Sequence, residues 1–418
     1  MSTIFRNIGW LLGNRGINAL LSLVYLALAT RSLGLAGFGQ FAMIAVLAQA
    51  LTGIASFNTW QAVVKWGHER GETARVTGFA LALDGLSLSG GLVLAAIASW
   101  IAPFWLPLPA SAGWPTFALC AASLVALRST PTGILRLHER YDLASLAETS
   151  LPLARAAGAI LAAIYMPTLA GFVAAWAAAE LICAVTYWAC ASRFVALACA
   201  DISLRRLPDV SQGVWSFVLA TSFSRTAAVV SKQVLLLAVG AFGGAALAGG
   251  YRIASQLGQA LVQLGEAVSR AIYPEFIKRA QTSAVIAQKM VLLSLAAGLF
   301  AAAIAIVAGK SAIDLIAGPQ FVFAYPALAV LSFAGAMELA GASWDALLVS
   351  RHRAGAALLV RIVPLGMALA AIPCAIGPAG LVGVAICILA ASAATLAGLS
   401  FAVLAMKCGP EAGSCPVA

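Results

Sequence analysis

Charge is what this chain has least of. Asp, Glu, Lys and Arg make up 10% of its 418 residues, and only 15 of those are acids, whereas a soluble domain is about one quarter charged. That deficit excludes a water-soluble globular protein. Histidine is nearly missing: His68, His138 and His352 stand in polar connecting stretches without the spacing of a metal site, so no metal centre is expected. The eight cysteines include no C-x-x-C pair, and free thiols are expected rather than disulfides or bound zinc. Long polar loops are absent too. The longest outer connections, near 103–114 and 309–322, hold Asp314 as their single acid, which argues against a membrane-embedded glycosyltransferase or polymerase and against an enzyme altogether. The run GFGQFA at Gly37–Ala42 lacks the third glycine of a dinucleotide fingerprint and follows no strand.

What fills the chain is hydrocarbon. Hydrophobic residues reach 62%, and the mean hydropathy is +0.98. Twelve segments meet the length of ~18–20 apolar residues that a span requires, near 9–32, 41–64, 77–102, 115–136, 147–166, 168–192, 213–239, 245–273, 285–308, 323–349, 355–376 and 379–406. The first contains polar groups and no small-residue cleavage site, so it is expected to be a permanent helix and not a signal peptide. Fifteen of the 25 Lys and Arg fall in loops and tails on one side of these spans, and two, Arg31 and Lys310, on the other. The positive-inside rule then places both termini in the cytoplasm. It also accounts for the net charge of +10, so no nucleic-acid partner is expected.

Eight basic residues remain inside the expected spans: Arg15, Arg128, Arg155, Arg225, Lys232, Arg252, Arg270 and Arg361. Arg270, near a helix end, can snorkel to the interface. Embedded acids are fewer: Asp84, Glu180, Glu266, Glu338 and Asp345, with Glu148 at an edge. Ionisable groups in hydrocarbon face protein or water and mark pathways or internal ion pairs, and an excess of positive charge suits an anionic ligand. The polar residues also form helical stripes, recurring every three or four positions. Arg15, Asn18, Ser22 and Tyr25 become Ser222, Arg225, Val229 and Lys232 under a shift of 207 positions; Gln49, Thr52, Ser56 and Thr59 become Gln256, Gln259, Gln263 and Glu266. One face of the eighth span is hydrophilic throughout, from Arg252 to Arg270. The shift is close to half the chain length, and each half holds six spans, so the halves have one orientation, as in transporters built from parallel repeats. The expected fold is all-α and integral to the membrane: two six-helix bundles, 1–200 and 201–418, around a central cavity, joined by a cytoplasmic linker at 193–212.

The opening stretch, with Asn7, Trp10 and Asn14 followed by YLALATRSLGLAGFGQFAMI from Tyr25 to Ile44, resembles the first hairpin of the polysaccharide-biosynthesis or O-antigen flippases (Wzx type). Those belong to the multidrug/oligosaccharidyl-lipid/polysaccharide (MOP) exporter superfamily. The residues that carry the likeness are Leu33, Gly34, Phe38, Gly39 and Phe41. The resemblance implies a MATE/MOP-like fold and a flippase in the cell inner membrane. Its substrate would be an undecaprenyl-diphosphate-type lipid-linked oligosaccharide, moved by alternating access for lipopolysaccharide, capsule or exopolysaccharide synthesis, with membrane lipids and other polysaccharide-assembly proteins as partners. In the related lipid II flippases the cationic cavity is lined by the first, second, seventh and eighth helices, the ordinal positions of the four stripes.

Candidate substrate-binding residues on this reading are Arg15, Asn18, Gln49, Arg128, Arg225, Lys232, Arg252, Gln256, Gln259 and Gln263, with guanidinium groups gripping the diphosphate and amides the sugars. No cofactor is expected beyond a coupling proton or Na+ ion, for which Asp84, Glu180, Glu266 and Glu338 are the candidate carriers. Two alternatives stay open: a MATE-like multidrug/cation antiporter, which would favour an acidic cavity, and a twelve-helix organic-anion transporter of the major facilitator type, whose signature after the second helix is poorly matched by KWGHERGETARV at Lys65–Val76.

Overall fold

The computed structural model describes the backbone of residues 2–68, 73–195, 201–208, 213–277, 283–350 and 353–408. The side chains of Arg15, Glu266 and Arg270 lie outside the described residues, so the expectations placed on them go no further here. Every regular element among the described residues is helical: α1 (Ser2–Ala55), α2 (Thr59–Gly67), α3 (Thr73–Trp105), α4 (Gly113–Val125), α5 (Ser129–Leu137), α6 (Tyr141–Tyr165), α7 (Leu169–Ala191), α8 (Val214–Ile277), α9 (Ser283–Ala317), α10 (Tyr325–Ser350) and α11 (Ala354–Cys408). Helices are what hydrocarbon selects, because they satisfy every backbone polar group within the segment. Eight described helices are long and apolar enough to cross a membrane.

Three elements are pairs of helices joined at a glycine. α1 has 54 residues, α8 64 and α11 55; a straight 54-residue helix would be ~80 Å long against a hydrocarbon core of ~30 Å. Each reverses at a residue in the left-handed region: Gly34 (φ 66°), Gly244 (φ 83°) and Gly380 (φ 55°). Only glycine takes those angles cheaply.

The chain divides into two compact units, Met1–Gly249 and Gly250–Ala418. In the first, α2, α3, α5 and α7 pack around a core that includes Phe79, Leu83, Ile134, Leu135 and Cys183, all almost fully buried. Small residues set the spacing: a Cβ on Gly133 of α5 would lie 2.9 Å from the Trp60 Cα and 2.8 Å from the Val63 Cβ of α2, so α2 and α5 nearly touch along their backbones, as helices in membranes do at small residues. Gly133→Val is expected to push them apart and destabilise the fold by roughly 1–3 kcal/mol, read as a lower unfolding midpoint in detergent. In the second unit, Trp344, Leu348, Ala357, Leu399 and Val403 form a core between α10 and α11, and Asp345 pairs with Arg361 at 3.1 Å.

Two expected spans are not continuous. The segments near 41–64 and 115–136 are interrupted at 56–58 and 126–128. The interruptions face each other, and tertiary side chains replace the helical hydrogen bonds they lose. The Phe57 N–H donates to Ser87 Oγ at 3.4 Å, the Asn58 N–H to Ser222 Oγ at 2.9 Å, and the Trp60 N–H to Ser129 Oγ at 3.1 Å. Beneath them, Asp84 of α3 accepts from Thr130 Oγ1 at 2.6 Å and from Thr59 Oγ1 at 3.3 Å. Thr59 opens α2 and Thr130 is the second residue of α5, so the carboxylate sits at the positive ends of two helices.

Candidate functional site

The two breaks form one wall of a cavity of about 980 Å³ inside the first unit. Gln49 and Thr52 come to it from α1, Ser56, Asn58 and Arg128 from the breaks, Trp60 from α2, Arg136 from α5, Glu148 and Arg155 from α6, Glu180 and Tyr187 from α7, and Ser224, Arg225 and Gln233 from α8. Most of the residues that line it are polar. Four arginines face two glutamates, a formal excess of two positive charges.

The carboxylates are unevenly shared. Glu180 accepts from Arg155 Nη2 on one oxygen, at 2.6 Å, and pairs with Arg128 Nη2 on the other, at 3.1 Å. Arg155 also stacks on the Trp176 ring, 3.9 Å from its centroid. Glu148 accepts from the Tyr187 hydroxyl at 2.8 Å. Arg136 lies over Trp60 at 4.1 Å. Arg225 has no carboxylate within ion-pair distance among the described residues, and Arg128 Nη1 is buried without an acceptor. Arg225 and Arg136 are thus the cavity cations without a paired carboxylate among the described residues. Because Glu180 neutralises two guanidinium groups at once, Glu180→Gln should leave both uncompensated and cost ~3–5 kcal/mol; a fall in the thermal midpoint of the purified protein checks this.

One side of the cavity is a seam between α1 and α8 running in opposite directions. Gln233 Nε2 donates to Gln49 Oε1 at 3.0 Å, and Thr226 Oγ1 to the Gly53 carbonyl at 2.8 Å. Val229 Cγ1 would lie 2.9 Å from a Cβ on Gly53. This packing decides which expected residues reach the site. Gln49, Arg128 and Arg225 line it. Lys232 does not: the seam turns Gln233 toward Gln49, and Lys232 is exposed elsewhere. Asn18 is also away from the lining; it is half-buried, with Oδ1 unpartnered. In the second unit Arg252 and Gln256 are half-buried, while Gln259 and Gln263 are exposed. Of the candidate carriers, Asp84 is tied to two threonines, Glu180 is shared by two arginines, and Glu338 is exposed and accepts from Ser392 Oγ at 3.3 Å. Among the described residues no group of three or more His, Cys, Asp or Glu could hold a metal ion.

Several site residues escape a reading of the sequence, Trp60, Tyr187, Ser224 and Gln233 among them. Arg136 counts there as an inner-loop charge, Arg155 as one embedded cation among eight, Glu148 as an edge residue, and Asn58 not at all. The positions of Asn58 and Arg136 follow from the breaks, and those of Glu148 and Arg155 from α6. Pro131 is a usable clue: it has no N–H to give the Leu127 carbonyl and clashes with it in a continuous helix.

Residues 4–279 match the family model described as "Polysaccharide biosynthesis protein", about two thirds of the chain. The chain belongs to this family. The polysaccharide biosynthesis family member described here is also 28% identical over 340 residues to the "Inner membrane protein YghQ" of Escherichia coli (strain K12), covering 77% of this chain and 95% of that protein. Among solved structures it is similar to the lipid II flippase MurJ in an inward closed conformation, with a TM-score of 0.75 at 10% identity, covering 94% of this chain and 86% of that one. It is likewise similar to an inward-facing multidrug resistance MATE family transporter of the MOP superfamily, with a TM-score of 0.70 at 15% identity, covering 94% and 96%. The fold of this family member is therefore that of the MOP exporters, and it is a multi-pass membrane protein.

Proposed function

We propose that the protein is an inner-membrane flippase that carries a polyprenyl-diphosphate-linked oligosaccharide to the outer leaflet by alternating access, for cell-surface polysaccharide synthesis. The observation that carries this reading is the polarity of the cavity: four arginines against two glutamates, with Arg225 left without a counter-ion among the described residues. A diphosphate supplies the missing negative charge, and guanidinium groups bind phosphate oxygens through charge-assisted, often bidentate hydrogen bonds. Gln49, Gln233, Asn58, Thr52 and Ser56 offer the amides and hydroxyls that sugar hydroxyls require. Membership of a polysaccharide biosynthesis family and a fold shared with a lipid II flippase support the same substrate class. With both termini cytoplasmic, the breaks lie toward the inner side, and the cavity is placed to receive a substrate made there.

A MATE-like cation antiporter shares the fold, but a net positive cavity repels its substrates. The test is reconstitution. Proteoliposomes holding the purified protein should move a fluorescent polyprenyl-diphosphate oligosaccharide between leaflets faster than protein-free vesicles, and a deletion strain should accumulate the glycan lipid on the inner leaflet. Proton-driven efflux of cationic dyes, with no movement of the glycan lipid, would establish the antiporter instead.

A further inference from the structure

Behind the cationic wall lies a second, apolar groove of about 500 Å³, lined by Val125 at the end of α4 and by Leu181, Ala184, Val185 and Trp188 on α7. Its volume is within the range of small-ligand sites. Two features set it apart from the rest of the hydrocarbon-facing surface. α7 is shared: Glu180 and Tyr187 turn into the cavity, while Leu181 and Val185, displaced around the same helix, turn into the groove. α4 ends between the two spaces. Val125 lines the groove, and the next three residues, Ala126, Leu127 and Arg128, line the cavity, without helical backbone to thicken the partition. The groove and the cationic site are therefore separated by one helix, ~10 Å across with its side chains, and by a three-residue non-helical strap.

An anionic lipid must keep its head group in the polar cavity and its chain out of water. We infer that the α4–α7 groove holds the head-proximal isoprene units of the polyprenyl chain, with the link between chain and diphosphate passing over the strap at Ala126–Arg128. This rests on the function proposed above and adds to it a tail site and a path. Val125, Leu181 and Val185 supply branched aliphatic surface, which matches the methyl-branched repeat of an isoprenoid, and Arg128 at the end of the strap pairs with the diphosphate nearest the chain. An acyl chain of a bulk phospholipid gains the same apolar contacts, but its single phosphodiester charge is a weaker anchor in the cavity than a diphosphate. Polyprenyl diphosphate gains both.

The experiment uses the full-length protein in phosphatidylethanolamine and phosphatidylglycerol vesicles, with a polyprenyl diphosphate bearing a diazirine on its first isoprene unit. On illumination, label should concentrate on the peptide spanning Leu181–Ser192, severalfold above the exposed face of α3 at Val93 and Ile97. Excess unlabelled polyprenyl diphosphate should remove it, and phosphatidylglycerol should not. Ala184→Trp fills the groove and should abolish the labelling; Val185→Trp, at a position already 68% exposed, does the same without a demand on packing. In both variants inorganic diphosphate should still bind the cavity by calorimetry. Equal labelling of α3, labelling indifferent to both tryptophans, or displacement by phosphatidylglycerol would overturn the groove as the tail site. Failure of inorganic diphosphate to bind even the unaltered protein would instead strike the proposed function, so the two failures are distinct.

Discussion

Arg225→Glu is expected to abolish movement of the glycan lipid while leaving the protein folded and correctly inserted. Arg225 is exposed to the cavity, and losing one charge-assisted hydrogen bond costs about 1.5–3 kcal/mol; reversal adds repulsion, so substrate affinity should drop by about an order of magnitude or more at ~1.4 kcal/mol per decade. Stability should barely change, because among the described residues Arg225 gives up no ion pair. That separation of function from folding makes it the most telling of the cavity arginines. Arg128→Glu would confound the two effects, since it places a third carboxylate against Glu180. Arg225→Lys keeps the charge but loses the planar fork, and should retain part of the activity. The measurement is leaflet exchange of a fluorescent lipid-linked oligosaccharide in vesicles, alongside a thermal midpoint for each variant. Full transport by Arg225→Glu would mean that the anion is gripped elsewhere.

The reach of the sequence can be judged residue by residue. Gln49, Thr52 and Ser56 repeat at helical spacing in an apolar segment, and polar groups so placed must avoid lipid, so their convergence on one cavity was readable. So were Arg128 and Arg225, ~12–18 Å from the inner ends of their expected helices at 1.5 Å per residue. The breaks were not. Asn58 is a residue type that favours a helix N-cap, but what stabilises the open backbone there is Ser87, Ser222 and Ser129, which arrive from three other helices. Periodicity also assigns a face only while the helix is unbroken. Past residue 58 the phase is reset, so Thr59, expected to continue the Gln49 stripe, instead points to Asp84. Lys232 failed for a related reason: α8 meets α1 through Val229 and Gln233, and the contact of two helices, rather than the polarity of one, fixes which residue is turned inward.

Asp84 is the other position where a large effect is expected, and there the two substitutions should diverge. Its carboxylate is buried with the hydroxyls of Thr59 and Thr130 on separate oxygens, and those threonines are fully buried. Asp84→Ala removes both acceptors and opens a void. Each buried hydroxyl left unsatisfied costs about 1–3 kcal/mol, and the lost favourable charge at two helix N-termini adds about 0.3–1 kcal/mol apiece, so a destabilisation of several kcal/mol is expected, visible as a collapse of the thermal midpoint or of yield. Asp84→Asn preserves the shape and one carbonyl acceptor, and the Thr59 hydroxyl, 3.3 Å from that of Thr130, can exchange donor and acceptor roles with it. The breaks should then stay in register, Arg128 and Asn58 should keep their places on the cavity wall, and transport should persist at a reduced rate. A carboxylate that carries the coupling proton behaves otherwise: Asp84→Asn would fold normally and yet lose all dependence of transport on the proton gradient. Asp84 is absent from the cavity lining, and both its oxygens are already engaged by the half-helices, which favours the first outcome: the residue holds the two broken helices together so that Arg128 and Arg136 beside them line the cavity.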